Sequence, residues 1–112
     1  MPDNNIFAAI PLRLDQELVE KLVENKGVCI ERIISKGHTS PASGWYDQPK
    51  NEWVIVLKGE AVITFEDEAE VRLVAGGYID IAAHKKHRVS WTDPDVETIW
   101  LFFMKRMSGA GG

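Results

Sequence analysis

The chain has 112 residues, with 13 Lys and Arg against 17 Asp and Glu and a formal charge of −4. That length suits one domain able to bury a core without disulfides or a structural metal, and it leaves no room for a second catalytic domain. The acidic balance argues against nonspecific nucleic-acid binding, the single Cys29 excludes an intramolecular disulfide, and no N-terminal apolar run is long enough for a signal peptide or membrane helix. A protein of the reducing cytoplasm, with no nucleic-acid or membrane partner, is expected.

Residues 1–13 read as an extended arm with Ile6, Phe7, Ile10 and Leu12 as apolar anchors around Pro11. Asp15 suits an N-cap, Leu18, Val19, Leu22 and Val23 form one stripe at helical spacing, Glu17 can pair with Lys21, and Gly27 supplies a stop. A short amphipathic helix is predicted there, so residues 1–27 form arm and helix and residues 28–106 a barrel. Strands are signalled at about Val28 to Ser35, Gly44 to Gln48, Trp53 to Leu57, Ala61 to Glu66, Glu70 to Val74, Tyr78 to Ala82, Arg88 to Trp91 and Glu97 to Met104. Lys58-Gly59-Glu60, Asp67-Glu68, Gly76-Gly77 and Thr92-Asp93-Pro94-Asp95 punctuate them at fairly even intervals, the pattern of an all-β barrel or sandwich. The basic cluster Lys85, Lys86 and Arg88 reads as a solvated loop, and the glycine-rich tail 107–112 has nothing to order it.

Two strands are apolar on both faces. Trp53, Ile55 and Leu57 point away from the Glu52 face, and the run from Ile99 to Met104 has no polar side. A half-exposed antiparallel strand alternates, so something must cover these outer faces; the arm and helix can cover one, and a second subunit, making a homodimer, the other.

Glu52 opens one apolar strand and His87 another, so one carboxylate and one imidazole stand at strand rims. Alternation puts Glu52, Val54 and Val56 on one face, and His87, Val89 and Trp91 on one face of theirs. If both strands line one barrel the pair shares its interior, where an unpartnered carboxylate costs several kcal/mol, roughly, unless a cation or hydrogen-bonded ligand offsets it. Glu52 and His87 are therefore the first candidates for a metal or ligand site. No Ser, Cys or Thr stands in a nucleophile motif, and there is no phosphate loop, so hydrolysis by a triad is not expected.

Glu52-x6-Gly59 and Gly76-x5-Ala82-x-His84-x2-His87-x3-Trp91 resemble the two motifs of the cupin superfamily, and the stretch Trp45-Tyr46-Asp47-Gln48 ahead of the glutamate is similar to that of small single-domain bacterial cupins. The resemblance implies an antiparallel double-stranded β-helix, or jelly-roll barrel, holding one divalent metal and a small organic ligand at its mouth. In the second motif Ala82, His84 and Trp91 stand where the family has proline, glycine and asparagine. In the first, the two histidines are missing. Four intervening residues put their slots on Trp45 and Asp47, three put them on Tyr46 and Gln48, so only Glu52 and His87 carry over directly.

Asp47 as third ligand makes an oxygen-rich set that favours Mn(II) or Fe(II), with Zn and Ni as further candidates; its other reading is a turn cap before Pro49. Gln48 is the weaker ligand of the other register, Tyr46 offers a phenol, and His38 supplies a nitrogen if its loop crosses the mouth. Trp45, Tyr46, Trp91 and Tyr78 are the candidate pocket walls. Two functions remain open: a metal-dependent enzyme, dioxygenase-like or isomerase-like, and a non-catalytic module that binds or senses a small ligand without metal.

Overall fold

The computed structural model describes residues 4–41 and 44–105. Eight strands follow in chain order: β1 (Leu18–Glu24), β2 (Val28–Ser35), β3 (Glu52–Lys58), β4 (Glu60–Phe65), β5 (Glu70–Val74), β6 (Tyr78–Ile81), β7 (His87–Thr92) and β8 (Thr98–Lys105). They pair antiparallel into a five-stranded sheet, β1-β2-β8-β3-β6, and a three-stranded sheet, β5-β4-β7. The predicted tail 107–112 lies outside the described residues. No helix of the described residues is long and apolar enough to cross a membrane.

Alternation decides what enters the space between the sheets. On β3, Glu52, Val54 and Val56 are buried, and their register partners on β8 are Met104, Phe102 and Trp100. With Ile33 and Ile81 the inner residues of the large sheet pack on Ala61, Ile63, Phe65 and Leu73 of the small one. Trp53 and Ile55 pair instead with Phe103 and Leu101, on the outer face. The doubly apolar β8 thus serves two surfaces: Trp100 is wholly buried while Phe103 stays 41 % exposed.

Gly59 joins β3 to β4 with φ +87°, and a Cβ there would lie 2.5 Å from Thr98 Oγ1 and 2.6 Å from Thr98 Cα. Only glycine fits a left-handed turn pressed against β8, which accounts for this position in the Glu52-x6-Gly59 spacing.

The helix predicted after Asp15 is a strand. Leu18, Val19 and Glu20 pair with Ile34, Ile33 and Arg32, and a bulge between Lys21 and Val23 carries the pairing on to Cys29. The stripe that suggested a helix is not buried, since Val19, Leu22 and Val23 are 50, 44 and 39 % exposed. Tertiary pairing overrides the periodicity: β1 satisfies the edge of β2, and its two β-branched residues, Val19 and Val23, suit a strand. Lys21 pairs with Glu24 at 3.0 Å rather than with Glu17, which accepts a 2.7 Å bond from Ser35 Oγ. The barrel accordingly begins at Leu18, not at residue 28.

The strand predicted over Gly44 to Gln48 is reduced to one bridge, Tyr46 with His87. Beyond it the Gln48 carbonyl accepts from the His84 N–H at 2.7 Å, so the chain turns to the loop before β7 and the ladder stops.

Arg32, 5 % exposed, lies on the outer face of β2. Its guanidinium pairs with Glu20 and donates to the carbonyls of Ile6 at 2.9 Å and Ala8 at 2.7 Å, tying the N-terminal segment across the β1–β2 surface. Arg32→Ala leaves these acceptors without a donor and is expected to cost about 2–3 kcal/mol, below the value for a fully buried pair because Glu20 is partly hydrated. Chemical denaturation reads the loss, and limited proteolysis should then cut within residues 4–17; unchanged stability with an uncut segment refutes this role.

Candidate functional site

The two sheets leave a cavity of about 220 Å³ at one end, reached by Glu17, Glu31, Thr39, Ser40, Tyr46, Gln48, Glu52 and His87 over an apolar floor that includes Ile63, Trp100 and Phe102. Glu52 enters as the first residue of β3, paired on both sides, with Met104 of β8 and Ile81 of β6, whereas His87, the first residue of the edge strand β7, is fixed by its sheet on the β4 side alone. The bridge fixes the other side for His87. Tyr46 N–H donates to the His87 carbonyl at 2.8 Å and His87 N–H to the Tyr46 carbonyl at 3.1 Å. The loop before it pairs in the same way with β7, Ser40 N–H to the Val89 carbonyl and Val89 N–H to Ser40 Oγ, both at 2.9 Å.

Glu52 and His87 are 3 and 5 % exposed, with 3.7 Å between Glu52 Oε1 and His87 Nε2. That is an ion contact rather than a hydrogen bond. Oε1 has no hydrogen-bond partner at all. His87 Nδ1 lies 2.8 Å from the Lys85 carbonyl, which can only accept, so Nδ1 carries a proton and Nε2 is left facing the carboxylate. Burial works against a charge on His87, but the Glu52 carboxylate and the Lys85 carbonyl outweigh it and raise its pKa above the ordinary histidine value.

Glu52 and His87 face each other in the cavity; the other candidates sort differently. Tyr46 and Gln48 line the cavity, whereas Trp45 and Asp47 do not. Asp47 Oδ1 sits 2.8 Å from His84 Nδ1 at the exposed rim. The three-residue register therefore describes this strand, because Tyr46 faces His87 across the bridge and alternation carries Gln48 inward and Asp47 outward. His84 takes φ +62°, a left-handed backbone suited to the family's glycine, and its bonds to Asp47 and to the Gln48 carbonyl hold it there. His38 also misses the cavity: its Nδ1 accepts from the Lys36 N–H at 2.9 Å, within its own turn.

Three of the four proposed aromatic walls stand elsewhere. Trp45 lies under the Arg88 guanidinium, 4.9 Å from its ring centre. Tyr78 pairs in register with outward-facing Ile55 and is 65 % exposed. Trp91 is turned out by a bulge: Ile63 pairs with Val89 but Val62 with Trp91, so Ser90 is the extra residue and the alternation flips after Val89. The walls that sequence reasoning missed are Glu17, Glu31, Thr39, Ser40, Trp100 and Phe102. Glu31 shares parity with Ile33 on β2, a signal that was available; Glu17 was hidden by the predicted helix.

Among the described residues no group of three or more His, Cys, Asp or Glu side chains is placed to hold a metal ion.

The raised pKa of His87 has a measurable consequence. A group whose folded pKa exceeds its unfolded value contributes stability fully below the unfolded value, about 6.5, and loses it as pH rises through the folded pKa. Wild-type stability should therefore decline above about pH 6.5 from this source, and Glu52→Gln should flatten that decline and bring the His87 ring titration down. NMR titration of the imidazole checks both; a midpoint unmoved by Glu52→Gln rules out the coupling.

A family profile described as the cupin domain matches residues 32–104. Among proteins of curated function none matches the chain. Of solved structures, a Ralstonia eutropha JMP134 protein provisionally assigned as a mannose-6-phosphate isomerase shares 42% identity over 94% of this chain and 98% of its own, with a TM-score of 0.87. A cupin superfamily protein from Desulfitobacterium hafniense DCB-2 shares 23% identity over 88% of this chain and 84% of its own, TM-score 0.71. A cupin with a double-stranded β-helix fold from Methanocaldococcus jannaschii shares 19% over 91% of each, TM-score 0.70. The latter two speak for the fold alone. Matched over most of its sheets by the profile and over nearly its whole length by the Ralstonia structure, the chain belongs to the cupin family.

Proposed function

We propose that the barrel mouth binds a small polar organic molecule and that Glu52 and His87 exchange a proton with it, an isomerase-type role. The observation that carries this reading is the buried, unpartnered Oε1 of Glu52 facing His87 Nε2 at 3.7 Å. A carboxylate that spends burial energy without a partner is satisfied by a donor on a ligand. With Nδ1 held by the Lys85 carbonyl, His87 takes or gives a proton only at Nε2, beside that same oxygen. One group can act as base while the other acts as acid. The cavity, about 220 Å³, is smaller than the roughly 300–1,000 Å³ of drug-sized pockets, which restricts the ligand to a small molecule.

The Ralstonia neighbour's provisional assignment agrees with proton transfer between adjacent carbons, which needs one acid and one base. Its phosphorylated substrate does not follow, since no Lys or Arg is among the described residues lining the cavity.

A second reading, a divalent cation, is favoured by the same orphaned oxygen. Glu52 and His87 fit such an ion as two of its ligands, and the Nδ1–carbonyl contact is the support metal-binding imidazoles usually have. Gln48 and Tyr46, neutral donors, stand where the family motif puts two further imidazoles. A bound ion would supply Lewis-acid polarisation of a ligand oxygen.

A ligand-observed NMR screen of fragments of mixed charge tests the reading. Hits should be lost in Glu52→Gln and in His87→Gln, both near-isosteric; hits that ignore both substitutions overturn it. Elemental analysis separates the two versions. Stoichiometric Mn, Fe, Zn or Ni that survives a chelator and disappears in Glu52→Gln carries the metal version, and metal-free protein that still binds fragments through Glu52 carries the first.

For assembly, we propose a homodimer through the outer face of the large sheet. Supporting it are the register pairs Trp53–Phe103 and Ile55–Leu101, with the exposed Tyr78 ring tilted against Trp53, 5.5 Å between centres. Each large apolar side chain left in water forgoes roughly 1.5–3 kcal/mol of burial. Phe103→Asp should shift sedimentation to monomer; wild-type protein that already sediments as monomer at micromolar concentration refutes the dimer. The free, buried Cys29 accords with a reducing compartment as its location.

A further inference from the structure

We infer that the molecule held at the mouth is an organic cation, an ammonium carried on a small apolar group. This rests on the cavity being the binding site and goes beyond it by fixing the ligand's charge.

Three carboxylates, Glu17, Glu31 and Glu52, reach the cavity, and His87 is the only basic side chain among its described lining residues. Even with His87 protonated the wall keeps a net negative charge. The nearby cations are engaged elsewhere. Lys21, opposite Glu31 in register, bonds Glu24 at 3.0 Å and feels the Glu31 charge more weakly than that of Glu24; Lys85 Nζ lies over the Phe65 ring at 4.5 Å; Arg32 points to the other face of β2. An anion entering here meets field of its own sign with no donor cluster to offset it.

Surface carboxylates alone would mean a solvated rim. Here one of them is 3 % exposed, lines the cavity and has an oxygen with no partner. A second is fixed from inside the core: Trp100 Nε1–H donates to Ser35 Oγ at 3.2 Å, and that hydroxyl donates to Glu17 Oε2 at 2.7 Å. Glu17 is thus held by a chain that starts on a wholly buried tryptophan. The apolar part of the cavity brings Tyr46, Trp100 and Phe102 beside these charges. Carboxylates among aromatic rings attract an ammonium both by charge and by the negative faces of the rings, and desolvation strengthens both.

The test uses three probes of one shape: choline, its uncharged isostere tert-butylethanol, and the anion tert-butylacetate. Titrations followed by the Trp100 indole and His87 ring signals should give choline roughly tenfold tighter binding than the neutral isostere, about the contribution of one desolvated cation contact, with the anion weakest. Glu31→Gln, on a half-buried wall, should shrink that ratio towards unity without lowering the melting temperature, and Glu17→Gln serves as the second variant. Tighter binding of tert-butylacetate than of choline, no response to any of the three, or a ratio untouched in both variants overturns the cation inference. The fragment screen of mixed charge, read through Glu52→Gln, still stands in each of those cases, so failure of the charge assignment is distinguishable from failure of the site.

Discussion

The two-hydrogen-bond bridge between Tyr46 and His87 is the constraint on which the mouth depends. It is short and belongs to no ladder, yet it fixes the phase of the segment ahead of β3. Phase is everything in an extended chain, because a slip by one residue exchanges all inward and outward side chains. With Tyr46 opposite His87, Tyr46 and Gln48 enter the cavity while Trp45 and Asp47 leave it. Asp47 is then free to reach His84, and that contact holds the left-handed residue that sets the approach to β7. A metal set built on Asp47 would have to give up this contact with His84.

Burying Glu52 has a cost that the rest of the barrel distributes. Gly59 lets β3 turn into β4 against Thr98, which seats Val54 and Val56 in the core and draws Glu52 in behind them. His87 offsets part of the charge from across the cavity, and its own orientation is set by the Lys85 carbonyl rather than by the carboxylate. Since 3.7 Å is too long for a hydrogen bond, the pair stays open between its two facing atoms. A pair that closed on itself would be quieter energetically and would leave nothing for a ligand.

Much of this was legible in the sequence, and the parts that were not share a cause. Glu52 and His87 could be found because each is the ionisable residue that opens a strand, ahead of the point at which the alternation of β7 fails. Asp47 against Gln48 could not be settled, because motif spacing allowed either register and only a hydrogen-bonded partner chooses between them. Counting in twos from His87 puts Trp91 inward, and a single bulge at Ser90 defeats such counting. On β8 both parities are apolar, so Trp100 and Phe102 gave no sign of which face they served. The segment after Asp15 carries a helical stripe, and only the unsatisfied edge of β2 decides against it.

That last correction reaches the chemistry. Glu31 lies on β2 and Glu17 immediately precedes β1, so both acidic groups come from the part of the chain that periodicity assigns to a lid. As a helix, Leu18–Glu24 would have covered the sheet and left Glu17 facing Lys21 one turn away, a neutralised surface pair. As a strand it extends the inner sheet past β2. Val19 then joins the cavity wall, Lys21 is carried to Glu24, and Glu17 is pulled onto Ser35 behind Trp100. The share of the mouth's charge that Glu17 carries is thus a consequence of edge-strand pairing: the hydrogen-bonding demand of β2 takes Lys21 to Glu24 and leaves Glu17 beside Glu31 and Glu52 on the cavity wall.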